Sequence, residues 1–396
     1  MKLTRRDLYR SAVACAASAA APAAFGVDST AGPDWNAARA AFPWLQNRVW
    51  LTAADYHPIG VHSIKAMENY LAWRSQGPAE GRRGPGGSEE AVTKELFAKL
   101  INAKAAEIAF VQSTTDGENL VVAGMDLAHK KGNVVIDDLH YQASKFLYHM
   151  LAKDAGVEVR VVHHRRDGHW TIDPQDMERA IDRNTRLVSL ALVSNINGYL
   201  HDVRTTAKVA HAHGAYVYAD IIQGCGAIPI DVRDMGIDFA ACGAYKWLMG
   251  DFGFGFLYVR EDLQDAVAKR SRYGVRQFRS PNRAQADSQF ELIPGAARYE
   301  SGSLSQLGRV CAHAALEYIH GLGIDNIRAH ARQLTDRLQK EIPKLGYQPL
   351  TPPQNPTPII SFLTPDYRRR RPRSTRRSVA KPSLSAAGKS PTRQGT

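Results

Sequence analysis

Cysteine is scarce in this chain of 396 residues: there are four. A disulfide framework is therefore excluded as the basis of the fold. Long apolar runs are missing too; none reaches the roughly 18 residues of a membrane-spanning helix. Glycine (31) and proline (20) are at ordinary levels, which excludes a collagen-like or linker-dominated chain. Acidic residues are absent after Asp366, where ten lysines and arginines follow. What is present is 44% hydrophobic residues, enough for a large buried core.

The net charge of +12 invites a nucleic-acid reading, and its location argues against one. The tail carries +10 of it, in Arg368 to Arg371, Arg373, Arg376, Arg377, Lys381, Lys389 and Arg393. Residues 1–23 carry a further +3, so the body stands at −1. A neutral body has no general field to steer phosphates. No nucleic-acid partner is expected, and no metal site. A basic tail acting alone on anionic partners is the competing reading; its signature is a steep salt dependence that vanishes on deleting residues 366–396.

The first residues read as an address. Thr4-Arg5-Arg6-Asp7-Leu8 precedes an Ala-rich, weakly apolar stretch from Ser11 to Ala24, and Ala21-Pro22-Ala23 offers small residues for cleavage. This order resembles a twin-arginine export signal, so residues 1–23 are expected to send a folded protein to the periplasm or outside. Apart from that signal, no membrane association is expected. Cys15 leaves with it; Cys225, Cys242 and Cys311 are expected to be packing residues.

Short apolar runs alternate with helical patterns through the middle. Asn133–Ile136, Val157–Val162, Arg186–Val193, Ala215–Ala219, Phe239–Cys242 and Gly255–Val259 predict buried strands. Gln142–Leu151 and Thr205–His213 predict helices, and Asp173-Pro174 reads as a helix start. The alternation predicts an α/β domain with a mostly parallel sheet, in which ligands sit at the carboxyl ends of the strands. The Gly-rich stretch Gly77–Gly87 reads as a surface loop, with a place at the mouth of a site as the alternative.

Three segments carry chemistry. Phe110 to Asn119 joins a strand to a helix through Ser113-Thr114-Thr115, whose hydroxyls and backbone N–H groups suit an anion. Tyr216-Val217-Tyr218-Ala219-Asp220 is an apolar strand ending in an acid, with Gln223 three residues on. Ala241-Cys242-Gly243-Ala244-Tyr245-Lys246-Trp247-Leu248 places a lysine in an apolar setting, where desolvation favours the neutral, nucleophilic amine. Singly, each has an ordinary alternative: a capped helix, an N-cap, a surface cation.

As an ordered set they resemble the class V aminotransferase family of pyridoxal phosphate (PLP) enzymes. That family includes cysteine desulfurases, kynureninases and isopenicillin N epimerase-like proteins. The likeness runs from about Trp50 to about Gly308 and is sharpest over Tyr245–Tyr258. It implies a fold-type I architecture: a large domain whose mostly parallel sheet is flanked by helices, and a small C-terminal domain. The expected organisation is the signal at 1–23, an N-terminal segment at 24–60, a PLP-binding domain at 61–295, a partial small domain at 296–363 and a basic tail at 364–396.

The resemblance also implies roles. Lys246 matches the lysine that holds the cofactor as a Schiff base and moves the substrate α-proton. Asp220 matches the acid at the pyridine nitrogen, and Gln223 the side chain at the ring hydroxyl. Thr114 and Thr115 match the phosphate loop. Asn195 matches the residue beside the ring or the substrate carboxylate, and Tyr245 stands before the lysine with its O–H toward the phosphate. In Asp138-Leu139-His140-Tyr141 the stacking aromatic is assigned to His140, with Tyr141 as second choice. Arg298-Tyr299-Glu300-Ser301-Gly302-Ser303 resembles the segment whose last hydroxyl reaches the partner subunit's phosphate, which assigns that role to Ser303 and implies a homodimer. The substrate is expected to be an amino acid or an amino-acid-containing small molecule.

Two departures stand out. Desulfurases carry a reactive cysteine in the small domain, and no cysteine follows Cys311. After Pro358–Phe362 the chain turns into the basic tail, so an alignable arginine for the substrate carboxylate is missing. A small domain cut short is expected to leave apolar surface uncovered. A catalytically impaired homologue that still holds PLP is therefore the second reading.

Overall fold

The computed structural model describes residues 32–79, 84, 86–166, 168–280 and 290–365. Residues 1–23, where an export signal is expected, part of the Gly77–Gly87 loop and all of the tail beyond Pro365 lie outside the described residues. None of the described helices is long and apolar enough to cross a membrane.

Seven strands form the central sheet: β1 (Ile108–Val111), β2 (Asn133–Asp137), β3 (Glu158–Val162), β4 (Thr185–Ala191), β5 (Tyr216–Asp220), β6 (Phe239–Gly243) and β7 (Gly255–Val259). Their spatial order is β1-β7-β6-β5-β4-β2-β3. The pairs from β3 through β6 are all parallel, and β7 runs antiparallel to both of its neighbours. Every strand but β7 therefore points the same way, and their carboxyl ends share one edge.

Alternation along the strands explains the layering. Ile108 and Phe110 enter one apolar cluster while Ala109 and Val111 enter the other. Val217 and Ala219 lie on the first side and Tyr218 on the second; Ala240 and Cys242 oppose Phe239 and Ala241. Side chains on a pleated strand alternate faces, so two-sided burial needs both phases to be apolar.

The helices that cover the sheet start on local signals. They are α1 (Trp35–Ala40), α2 (Val61–Gln76), α3 (Gly87–Leu100), α4 (Thr114–Gly124), α5 (Gln142–Ala155), α6 (Pro174–Ala180), α7 (Val203–Ala212), α8 (Gln306–Leu322) and α9 (Ile324–Glu341). Ser113 caps α4 by accepting the Asp116 N–H at 3.1 Å. Asp173 caps α6 ahead of Pro174, and Asp202 caps α7. Gly156 ends α5 in the left-handed conformation, φ +68°. Gly117 lets α4 close onto the sheet: a Cβ there would lie 2.7 Å from that of Ala241.

Beyond the sheet, α8 and α9 lead to a two-stranded antiparallel pair, β8 (Gln348–Pro349) with β9 (Phe362–Leu363). Helix α9 leaves Leu334 (62%) and Leu338 (39%) exposed, one turn apart on one face. The strand-like segment at 355–361 is not idle. It grips the loop after β4, where Thr357 Oγ1 donates to the Gly198 carbonyl (2.8 Å) and Ser361 Oγ to that of Ile196 (2.8 Å). Thr351 Oγ1 donates to the Asn197 carbonyl at 2.6 Å.

Candidate functional site

A half-open cleft of about 420 Å³ lies on the edge where the parallel strands end. Each wall follows one strand. Ser113, Thr114 and Thr115 come after β1, and Tyr141 after β2. Val193 and Asn195 follow β4, Asp220 closes β5 with Ile222 and Gln223 behind it, and Tyr245 and Lys246 follow β6. Topology thus gathers residues that are more than 130 positions apart in the chain.

The start of α4 forms one end. Its first turn directs backbone N–H groups and the positive end of the helix dipole at the cleft, which suits an anion. Thr114 Oγ1 accepts the Gly243 N–H at 2.9 Å, tying this end to the strand that leads to the lysine.

Lys246 lies on the opposite wall. Its Nζ sits 5.9 Å from the centre of the Tyr141 ring and 5.7 Å from that of Tyr245. Burial lowers its affinity for a proton, and the negative charges of Asp220 and Asp55 oppose that in part. Asp220 is buried and accepts the Ile222 N–H at 3.0 Å. Burial raises its carboxyl to about 6, against the backbone hydrogen bond and the pull of Lys246. A buried acid facing a lysine that gives up its proton readily is the pairing that a covalent amine site needs.

The N-terminal segment closes the top. Gln223 Nε2 donates to the Ala54 carbonyl (2.9 Å), and its Oε1 accepts from Trp247 Nε1 (2.9 Å). The His57 N–H donates to the Tyr245 carbonyl at 2.9 Å. Ser113 lines the cleft with the two threonines of its motif. Asp55 belongs to the surroundings of Lys246 and was not singled out from the sequence, because it has no motif to mark it.

One assignment is corrected. His140 does not line the cleft; its ring is fully buried beneath it. Its Nδ1 accepts the Tyr141 N–H at 2.7 Å and its Nε2 meets Ser189 Oγ at 2.9 Å. Burial drops the imidazole to about 3, so it is neutral. Tyr141, the second choice, holds the exposed side of this turn and faces Lys246.

Ser303 is exposed on the loop before α8 and is not part of the cleft within one chain. Its segment is firmly anchored: buried Glu300 accepts the Phe110 N–H (3.0 Å) and pairs with Lys94 (2.6 Å) and Arg276 (2.7 Å). Among the described residues, no arginine lines the cleft. Cys225, Cys242 and Cys311 are free and buried. Burial raises the Cys242 thiol well above its usual value and that of Cys311 to about 11.

The family model "Aminotransferase class-V" matches residues 67–371, most of the chain. The chain belongs to the class V aminotransferases. A probable cysteine desulfurase of Methanothermobacter thermautotrophicus is 31% identical over 327 residues, which are 81% of this chain and 79% of that protein. Among solved structures, an apo cysteine desulfurase from Thermococcus onnurineus NA1 superposes with a TM-score of 0.71 at 23% identity, covering 83% of this chain and 82% of that one. A C-DES mutant with glycine covalently linked to its PLP cofactor gives 0.73 at 19% identity, covering 84% and 86%. These two show the fold, which is the fold-type I architecture. The cofactor of this class V chain is pyridoxal phosphate. The donor set fits it: an anion site at the start of α4, a buried acid in Asp220 and an amine in Lys246, all on one cleft.

Proposed function

We propose that this class V enzyme moves the α-proton of an amino acid, free or within a larger small molecule, with Lys246 as the base. The observation that carries the reading is Lys246 itself: a buried amine, eased toward its neutral form, in one cleft with Asp220 and the threonine-rich helix start. When bound, PLP supplies a sink for the electron pair left on the α-carbon. Lys246 would hold the cofactor covalently and, once free, its amine would take the α-proton. Asp220 keeps a proton on the pyridine nitrogen. Thr114 and Thr115 bind the phosphate, Tyr141 covers the ring, and Asn195 and Gln223 orient ring and substrate, with Tyr245 beside the phosphate. Ser303 serves the cleft of a second copy, which makes the working unit a homodimer.

Transamination, epimerisation and side-chain cleavage all begin with this proton transfer. Sulfur transfer to a protein thiol is the least supported subtype, although the curated relative is named a desulfurase. Such a step needs an accessible thiolate; the described cysteines are all buried, and burial raises the thiols of Cys242 and Cys311.

The test is a panel of amino acids incubated with holoprotein in D₂O, with the α-proton followed by NMR. Exchange of at least one substrate, lost in Lys246→Ala, supports the proposal. No exchange of any substrate while PLP is bound would support the second reading, a PLP-binding homologue without turnover. The specific observation in its favour is the lack of an arginine among the described residues of the cleft. We further propose that residues 1–23 export the folded protein. Lys in place of both Arg5 and Arg6 should hold it in the cytoplasm, and unchanged export would refute the twin-arginine route.

A further inference from the structure

A buried carboxylate behind the cleft has no part in the chemistry above. Glu118 projects from α4 into the layer between helix and sheet and is 2% exposed. Three hydroxyls converge on it: Ser144 Oγ at 2.6 Å, Tyr148 Oη at 3.0 Å and Ser189 Oγ at 3.1 Å. They come from α5 (Ser144, Tyr148) and β4 (Ser189). Burial raises the Glu118 carboxyl to about 7, against the pull of the three hydroxyls; once ionised it only accepts, so each hydroxyl donates its proton to it.

The Ser189 arm continues. With its own proton committed to Glu118, Ser189 Oγ can only accept from His140 Nε2, 2.9 Å away. At the far end the Tyr141 N–H can only donate, and it donates to His140 Nδ1 at 2.7 Å. Both ends of the chain are thus fixed in direction. The imidazole between them must carry its proton on Nε2. His140 Nε2 is 3.8 Å from Glu118 Oε1, so Ser189 is the bridge. The run of bonds ends on the residue whose ring faces Lys246.

We propose that Glu118 is a positioning residue for the cleft wall: through Ser189 it anchors the Nε2 side of the His140 ring, and His140 holds the backbone of Tyr141. Packing alone does not call for an acid here. A buried carboxylate is expensive to desolvate, and an apolar residue of similar size would fill the space more stably. What the ionised acid adds is an acceptor that turns the Ser189 proton away from His140 and leaves its oxygen free to accept from Nε2. The inference rests on the cofactor reading of the cleft only for its consequence, the placement of Tyr141 against bound PLP.

The experiment has two readouts. The first is ¹⁵N NMR of histidine-labelled apoprotein, with the His140 signals assigned through His140→Gln. The second is the affinity for PLP. In the native protein His140 is expected as the Nε2–H tautomer. Ser189→Ala and Glu118→Gln should each shift the His140 Nε2 signal, whose hydrogen-bond acceptor is lost or turned, and weaken PLP binding roughly fivefold, the loss of about one hydrogen bond. Tyr148→Phe removes a donor from the same carboxylate but leaves the Ser189 arm whole. It should lower unfolding stability without moving either readout. An unmoved Nε2 signal in Ser189→Ala and Glu118→Gln would overturn the proposal, as would an equal shift in Tyr148→Phe. If the native protein bound no PLP, the cofactor reading would fail, and the His140 Nε2 signals of the apoproteins would still decide this proposal.

Discussion

Gly198→Ala should loosen the cleft from outside it. Gly198 sits in the loop that carries Asn195, at φ +74°, and the strand-like segment 355–361 runs against it. A Cβ there would lie 2.1 Å from the Ile359 carbonyl oxygen and 3.0 Å from its carbon. That neighbour is backbone and cannot rotate away, so the segment must shift bodily. The positive φ alone costs alanine about 1 kcal/mol. The shift also breaks the bond from Thr357 Oγ1 to the Gly198 carbonyl and strains that from Ser361 Oγ to Ile196. At about 1 kcal/mol each, the total loss is about 3 kcal/mol. Thr357→Val, which removes one bond and leaves the backbone in place, should lose about 1 kcal/mol. Denaturant unfolding of both variants measures the stabilities, and a PLP titration reads the site. Gly198→Ala should also bind PLP more weakly, because the displaced loop carries Asn195. If Gly198→Ala unfolds within about 0.5 kcal/mol of the native protein, the claim that the C-terminal segment braces this loop is wrong.

Three further outcomes follow from the cleft. Tyr141→Ala should weaken PLP binding by about threefold to tenfold, the worth of one stacked ring, while Tyr141→Phe stays near native. Equal affinities for all three proteins would remove Tyr141 from the wall. The rate at which apoprotein captures PLP covalently should rise with pH as Lys246 loses its proton, and level off below the ordinary lysine value of 10.5, because burial lowers this amine. A rate still climbing at 10.5 would contradict the buried setting. Asp220→Ala should keep PLP attached but slow α-proton removal; an unchanged rate would take Asp220 out of its role.

Much of this was legible in the sequence, for a physical reason. Strands buried on both faces must be apolar in both phases, so Asn133–Ile136 and Gly255–Val259 stood out, and the observed strands differ by a residue or two at their ends. Those ends are where function begins. Asp137, Asp220 and Gly243 are polar or small, and the apolar pattern stops short of them although each completes its strand. Ordered motifs brought Thr114, Asp220 and Lys246 forward together, because parallel strands place their carboxyl ends side by side.

What was not legible is contact across the chain. His140 and Tyr141 are adjacent aromatics, and only the path of the turn decides which faces the cleft; it turns His140 toward Ser189, 49 residues away. Glu118 read as one more residue of a helix start, since Ser144, Tyr148 and Ser189 share no pattern with it. Ala54 and His57 belong to a segment without a motif, held beside the cleft by Gln223 and Tyr245.

The central claim is that Lys246 is the amine that carries the cofactor. The most direct test is the visible spectrum of the purified protein, followed by borohydride reduction and mapping of the modified peptide. The account predicts a yellow protein whose chromophore is fixed by reduction onto Lys246, and a Lys246→Ala variant with no fixed label. A label on another lysine, or a protein that stays colourless when PLP is added, would contradict it.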